Sequence, residues 1–214
     1  MKKIVAVGLC ALSFGLADGK FQEKSGVLVG LSMGAGQTSQ TITVAGESSK
    51  TTQFLPAFGL QVGYKHFFNE YLGVRGYGAF DYAWNSSEST YSQGTESSST
   101  SAMNVTANAD VLFNAFNTQS TSYGVFVGIG LGGQFYNFKL SQAGSSEKLN
   151  QSGFYADAKL GLRAATESLG IEFGLKFPFT TVSGKNVAFG QDTFESIKAK
   201  QSVPQFYATI NLYF

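Results

Sequence analysis

A single histidine, His66, has the clearest capacity for acid–base chemistry, because an imidazole titrates near neutral pH. It follows a run of alternating apolar residues, and counting by twos places it on the same face as Val62 and Tyr64. The charged residues of the neighbouring segments fall on the opposite face. With only one histidine and one cysteine, Cys10, a zinc site has few ligands to draw on. The sequence therefore favours an interfacial side chain at His66 over a catalytic base, and we expect no enzyme.

Four acidic residues could bind calcium or form an acid–base pair. They are Asp81, Asp110, Asp157 and Glu172. Five basic residues fall on the same predicted face, and these are Lys65, Arg75, Lys159, Arg163 and Lys176. Charges that leave water need partners to offset their lost hydration. The sequence therefore favours a structural network of ion pairs over a metal or catalytic site, and we predict no cofactor.

The segment GIGLGG, residues 128–133, matches the Gly-x-Gly-x-x-Gly pattern of dinucleotide-binding proteins. That motif requires a strand to end and a helix to begin at the glycines. Here the apolar alternation continues through Phe135. The glycines therefore indicate a strip of small residues on one strand face, with room for bulky neighbours such as Tyr77, Tyr155 and Arg163.

The segment GIEFGLKFPF, residues 170–179, shows which element positions these groups. Glu172 and Lys176 are four residues apart, the spacing of an ion pair on a helix. However, Ile171, Phe173 and every second residue through Phe179 are apolar, a period of two that favours a strand. The strand has one apolar face and one face that carries charge.

The same alternation recurs along the chain and predicts eight strands of about ten residues each. They cover residues 27–33, 58–64, 72–84, 103–115, 123–135, 154–164, 170–179 and 206–214. Short connections around Asn69, Thr118 and Glu167 alternate with long polar stretches at 37–53, 85–101, 140–152 and 180–202. This pattern predicts an up-and-down antiparallel barrel with long loops at one end and short turns at the other.

The barrel could be surrounded by water or by lipid. A soluble barrel would bury its apolar face, and its outer face would carry more charge than this chain offers: charged residues make up 14%, against about 25% in soluble domains. A tilted strand of about ten residues spans a bilayer, and closure leaves no unpaired edge in lipid. We therefore predict a transmembrane barrel whose apolar face meets lipid and whose charged face lines the lumen.

Aromatic residues gather at both ends of the predicted strands, as expected at the two interfaces of a bilayer. Those toward the long loops are Tyr82, Trp84, Phe135, Phe154, Phe177, Phe179 and Phe206, and those toward the turns are Phe68, Tyr123 and Phe214.

The first 17 residues have the pattern of a signal peptide. Lys2 and Lys3 precede an apolar segment from Ile4 to about Phe14, and small residues at Gly15 and Ala17 fit a cleavage site after Ala17. The apolar segment is too short for a transmembrane anchor. We therefore expect a signal peptide at residues 1–17 and a barrel domain at residues 18–214.

Several segments also resemble the C-terminal barrel domain of the Helicobacter outer membrane protein family, the Hop-like porins and adhesins. They are QVGYKHFFNEYLGVRGYGAFDY (residues 61–82), ADVLFNAF, GVFVGIGLGG, KLGLRA and GIEFGLKFPF. Residues 73–82 resemble the family pattern GLRYYGFFDY, from which Val74, Gly76 and Ala79 depart. The resemblance implies the outer membrane of a Gram-negative bacterium. The terminal Phe214, with Leu212 and Ile210 before it, resembles the signal read by the barrel assembly machinery.

Eight strands leave an interior just wide enough for side chains to fill. We therefore expect a structural or surface-interaction role, with a small porin for ions or small solutes as the alternative. The expected partners are outer membrane lipids and lipopolysaccharide, the barrel assembly machinery and a host surface ligand at the loops. The net charge of +1, without a basic cluster, excludes a nucleic-acid footprint, and we expect a monomer.

Overall fold

The structure, a computed structural model, describes residues 21–44, 47–91, 94–142, 145–189, 192–201 and 205–214. The signal peptide expected at residues 1–17 lies outside this range and stays a prediction. Among the described residues, no α-helix is long and apolar enough to cross a bilayer.

The described chain forms ten antiparallel β-strands. They are β1 (Gly26–Val44), β2 (Glu47–Phe67), β3 (Leu72–Tyr91), β4 (Gly94–Asn117), β5 (Ser122–Gln142), β6 (Ser145–Ala165), β7 (Leu169–Pro178), β8 (Thr181–Phe189), β9 (Asp192–Gln201) and β10 (Gln205–Tyr213). Strands β1 to β7 and β10 form a closed barrel, because β10 pairs with β7 on one side and with β1 on the other. The predicted eight-stranded up-and-down barrel is confirmed.

Strands β8 and β9 are an additional hairpin within the polar stretch at 180–202. They pair with each other, and β9 pairs with the outer end of β1 from Thr38 to Thr43. The barrel proper pairs β1 with β10 only as far as Ala35. The hairpin therefore continues the wall beyond the end of the β1–β10 pair.

The strands are longer than the sequence predicted. Strands β1 to β6 contain 19 to 24 residues, about twice the predicted length, and most of the polar stretches expected to be loops are paired strand. The alternation of apolar residues stops where the wall leaves the lipid, because both faces then contact water. Threonine still favours extended backbone there. The loops are thus largely a β-sheet extension of the barrel.

The two faces of the wall have opposite chemistry. On the outer face, large apolar residues such as Leu31, Leu162 and Phe173 are more than 60% exposed, whereas Arg75 in the lumen is 4% exposed. Near the outer end, the rings of Phe58 and Trp84 lie 4.7 Å apart. This inside-out distribution is that of a barrel surrounded by lipid.

The three short turns at the other end are closed by side chains. Asn69 accepts hydrogen bonds from the backbone N–H groups of Tyr71 and Leu72. The hydroxyl oxygens of Thr118 and Thr166 accept from residues three positions later. At this end, Val27 and Phe214 exchange two backbone hydrogen bonds of 3.0 Å, which close the barrel beside its last residue. Short turns of this kind mark the periplasmic end of an outer membrane barrel.

Candidate functional site: the barrel lumen

The centre of the lumen is a buried ion-pair cluster from three strands. Arg75 on β3 donates from its two terminal nitrogens to both carboxylate oxygens of Glu172 on β7, at 2.6 and 2.8 Å. Its Nε donates to Asp110 on β4 at 2.8 Å. All three side chains are at most 2% exposed. A paired guanidinium fork of this kind is the strongest ordinary hydrogen-bonded ion pair in proteins.

A second cluster lies toward the periplasmic end, around the carboxylate of Glu23. Arg163 on β6 donates to its two oxygens at 2.6 and 2.9 Å, and Lys65 on β2 donates at 2.6 Å. Asn114 on β4 accepts from Arg163 at 2.7 Å. Glu23 precedes β1, so a residue outside the barrel wall completes this cluster.

Two further groups lie toward the outer end. Lys159 is 3.5 Å from Asp157, and it hydrogen-bonds to Asn108 and to the Tyr77 hydroxyl. Lys176 donates to Asp81 at 2.8 Å. Each of the four predicted lumenal carboxylates thus has a basic partner in the structure.

All nine charged residues that the sequence assigned to the lumen lie on the inner face. Seven are buried, and Asp81 and Lys176 near the outer end are partly buried. They form paired groups stacked along the barrel axis. Chemically, the arrangement holds charges in place and fills space.

The glycines of β5 make this packing possible. A Cβ at Gly128 would overlap the Asp110 carboxylate, and one at Gly130 would overlap the Asn108 side chain and crowd that of Asp157. The nearest side chains at these two positions are therefore smaller polar groups than the Tyr77, Tyr155 and Arg163 that the sequence suggested. The strand continues through the glycines, so they do not form a dinucleotide-binding turn.

The sequence underestimated the apolar part of the lumen. Leu28, Phe67, Leu112 and Phe126 all point inward near the periplasmic end and are buried. Counting by twos from the lumenal charges Lys65 and Asp110 would have placed Phe67 and Leu112 inside, and counting from Gly128 would have placed Phe126 there. Their apolar character did not indicate an inward position, because the inner face was expected to be polar.

His66 lies on the outer face near the short turns, as expected from the alternation. Its Nδ1 is 3.1 Å from the hydroxyl oxygen of Ser25, and its ring meets Phe68 edge-on at 5.1 Å. The same Ser25 oxygen accepts a hydrogen bond from the backbone N–H of Phe67 at 3.0 Å. The contacts of Ser25 with His66 and Phe67 therefore hold the segment before β1 against the end of β2.

A small recess of about 40 Å³ lies at the outer end of the lumen. Asp81, Lys176 and Asn104 are part of its polar lining, and Leu55 and Ala102 are part of its apolar lining. Deeper in the lumen lie the group around Lys159 and the Arg75 cluster.

The terminal residues named as an assembly signal lie at the barrel seam. Ile210 and Leu212 are exposed on the outer face of β10, next to β1, and Phe214, which follows the strand, is also exposed. Recognition of these residues by the assembly machinery stays a prediction.

The chain is similar to several solved structures, and the alignment with OprG supports the same fold. The outer membrane protein OprG from Pseudomonas aeruginosa aligns with a TM-score of 0.53 at 12% identity, covering 92% of this chain and 99% of OprG. Ail, the attachment invasion locus protein of Yersinia pestis, in complex with the heparin analogue sucrose octasulfate, aligns at 0.48 and 16% identity, covering 88% of this chain and 99% of Ail. Neisserial surface protein A aligns at 0.41 and 14% identity, covering 90% of this chain and all of that chain.

A search of curated protein sequences finds no match. A family model, described as Helicobacter outer membrane protein, matches residues 59–214, which include most of the barrel wall and the lumenal charges of its strands. The chain belongs to the Helicobacter outer membrane protein family, and it is a β-barrel of the bacterial outer membrane.

Proposed function

We propose that this protein is a closed outer membrane barrel that does not conduct ions, and that it acts through the β-sheet extension it holds above the outer leaflet. The observation that carries the proposal is the lumen filled by paired, buried charges.

The lumenal groups lie in series along the axis. From the periplasmic end, a permeating ion would meet the Glu23 cluster, then Arg75 with its two carboxylates, then Lys159 and Asp157. Each group is hydrogen-bonded and nearly inaccessible to solvent. An eight-stranded barrel has little space beside such side chains. Passage would require breaking several buried ion pairs at once, and we therefore expect no steady current.

The extension gives the protein a surface on which to act. The β3–β4 hairpin is paired in register from Leu72 and Phe113 to Tyr91 and Gly94, well beyond Tyr82 and Trp84 at the aromatic end of the strands. A paired hairpin loses less conformational freedom on binding than an open loop does. Its sequence beyond Trp84 is rich in serine and threonine, whose hydroxyls donate and accept hydrogen bonds. We expect a polar ligand at a host surface.

The alternative function is a small channel. Several buried polar atoms have no hydrogen-bond partner among the described residues, including Asn104 Oδ1, Thr209 Oγ1 and Asn211 Nδ2. Such atoms are usually satisfied by water. These unpaired atoms, together with the recess at the outer end of the lumen, are the observations that favour this alternative.

Single-channel recording in a planar bilayer separates the two functions. The refolded wild-type protein should give no steady current under conditions where heat-modified migration on gels shows that it is folded. Arg75→Ala, which removes the central cation, is recorded alongside it. Steady wild-type currents whose conductance changes in Arg75→Ala would establish the channel instead.

Loop truncation tests the surface role. Residues 86–99 are replaced by Asn-Gly, which joins the register partners Asn85 and Thr100 by a two-residue hairpin turn. The control keeps the hairpin length but permutes its serines and threonines with the other residues. Binding to host cells should be lost in the truncated barrel. Undiminished binding by the folded, truncated protein would contradict a role for this hairpin.

A further inference from the structure

The segment before β1 places a carboxylate in a site that the barrel wall builds for it. Arg163 holds both oxygens of Glu23 through its fork, Lys65 donates to one of them, and Asn114 approaches the other at 3.5 Å. These four residues are at most 3% exposed. A guanidinium fork with a second cation is the geometry by which proteins bind a free carboxylate.

The binding groups are held in place by the wall as well as by Glu23. The Lys65 ammonium lies 3.2 Å from the centre of the Tyr213 ring, and Asn114 Oδ1 accepts from Arg163. The Arg163 guanidinium lies 5.6 Å from the centre of the Phe67 ring. Because β2, β4, β6 and β10 supply all of these contacts, the site is preorganised without the segment that fills it.

Charge balance gives the site its preference for an anion. The lumenal strand residues identified above include five cations but four carboxylates, and Glu23 supplies the fifth. Glu172 lies 3.8 Å from Arg163, but it is already bound to Arg75 by two hydrogen bonds. Without Glu23, Lys65 and Arg163 would remain buried with incomplete compensation, which strongly favours uptake of another anion.

Within the part of the chain that the structure describes, few other contacts hold residues 21–25 across the periplasmic mouth. The Phe21 N–H donates to Thr118 at 3.2 Å, and Lys24 pairs with Glu167 where both side chains are well exposed. Ser25 bonds to His66 and Phe67 at the rim. An exposed ion pair contributes little, so the carboxylate provides much of what holds the segment in the lumen.

We infer that the periplasmic end of the lumen is a carboxylate-binding site, formed by Arg163, Lys65 and Asn114, which the chain fills with its own Glu23. When residues 21–25 leave, the site binds an acidic peptide that enters from the periplasm. The inference does not depend on whether the lumen conducts or on any extracellular ligand.

The first test is rescue of Glu23→Ala by acetate. The variant is refolded in lipid vesicles, and its urea unfolding midpoint is measured in acetate and in chloride at equal ionic strength. Acetate should raise the midpoint of Glu23→Ala and leave that of the wild type unchanged. Should Glu23→Ala fail to fold, Glu23→Gln is used, because it keeps the volume of the side chain and removes its charge.

The second test is binding in trans. A labelled peptide of sequence GKFQEKS, which copies residues 19–25, is added to vesicles from the periplasmic side. It should bind Glu23→Ala at least tenfold more tightly than it binds wild type, whose site is occupied. The same peptide with glutamine in place of glutamate should bind neither protein.

Glu167→Gln is the matched control, because it removes an exposed carboxylate that contacts the same segment outside the site. Its affinity for the peptide should equal that of the wild type. Equal peptide binding by Glu23→Ala and Glu167→Gln, or failure of both acetate and the peptide to act on the Glu23 variant, would overturn the inference. Neither result bears on single-channel conductance, so the proposed function is tested separately.

Discussion

Removal of Arg75 should destabilise the barrel more than any other change to a single lumenal charge. Its guanidinium donates hydrogen bonds of 2.6 to 2.8 Å to both Glu172 and Asp110. Arg75→Met keeps most of the side-chain volume and leaves both carboxylates buried without their shared cation. The perturbation therefore tests whether the lumen is dry enough for these charges to depend on one another.

The magnitude follows from the burial of the cluster. Removing one partner of a buried pair typically costs about 3–5 kcal/mol, because the remaining charge is left uncompensated. Two carboxylates are left here, so we expect a loss near the upper end, about 5 kcal/mol. Glu172→Gln leaves Arg75 paired with Asp110 and should cost less, about 1–3 kcal/mol.

The assay is equilibrium unfolding in urea from lipid vesicles, followed by the heat-modified mobility and by tryptophan fluorescence. The matched control is the triple variant Arg75→Met, Asp110→Asn, Glu172→Gln. It contains no charge at the cluster and should recover to within about 2 kcal/mol of wild type, because a neutral cluster has no charge left to compensate.

A loss below about 1 kcal/mol for Arg75→Met would refute the reasoning, because it would mean that water hydrates both carboxylates as well as Arg75 does. Such a hydrated lumen would also favour the channel over the closed barrel. A triple variant no more stable than Arg75→Met would show that packing, and not charge, sets the cost.

Three further predictions concern other parts of the barrel. In the same urea assay, Gly128→Val should lower the unfolding free energy by about 2–3 kcal/mol, because its Cβ would overlap a lumenal carboxylate. The control Gly133→Val should change it by less than about 1 kcal/mol, because a Cβ there would meet only ring carbons at 3.5 Å or more. Trp84, the only tryptophan, should be quenched most strongly by lipids brominated near the headgroup, and quenching that peaks at mid-chain bromines would contradict its interfacial position. The hydrogen bond and charge of Lys24 hold the pKa of the Glu167 carboxyl below its usual 4.5. The stabilisation from this pair is therefore present above pH 4.5 and is lost as the pH falls through the lowered pKa. An NMR titration should find the lowered pKa of Glu167, and Lys24→Gln should restore the ordinary value.

The membrane-spanning part of the fold could be predicted because the lipid imposes a period of two. Ile171, Phe173 and Leu175 had to face the bilayer, and Glu172 and Lys176 could then only face the lumen. Above the lipid, both faces contact water and the constraint ends. The extension of β3 from Asn85 to Tyr91 therefore looked like a loop, although it is paired with β4 to its tip.

Glu23 could not be predicted to complete a lumenal cluster. It lies in a short polar segment before the first alternating strand, and its partner Arg163 is 140 residues away in the sequence. Local pattern contains no information about such a contact. The available indication was the count of charges, since five lumenal cations face four carboxylates and one more acid was needed.

Strand register sets some of the ion pairs in the lumen, such as that of Arg75 with Asp110, and packing across the barrel sets others. Register places Arg163 directly opposite Glu172 on β6 and β7, and places Lys159 opposite Lys176. In the structure, Glu172 makes its hydrogen bonds to Arg75, Arg163 makes its own to Glu23 and Asn114, and each of the two lysines has its own acid. Glu172 keeps two hydrogen bonds to Arg75 although Arg163 Nε lies only 3.8 Å from it. Arg163 therefore binds the segment before β1, whereas Arg75 binds the two carboxylates at the centre of the lumen.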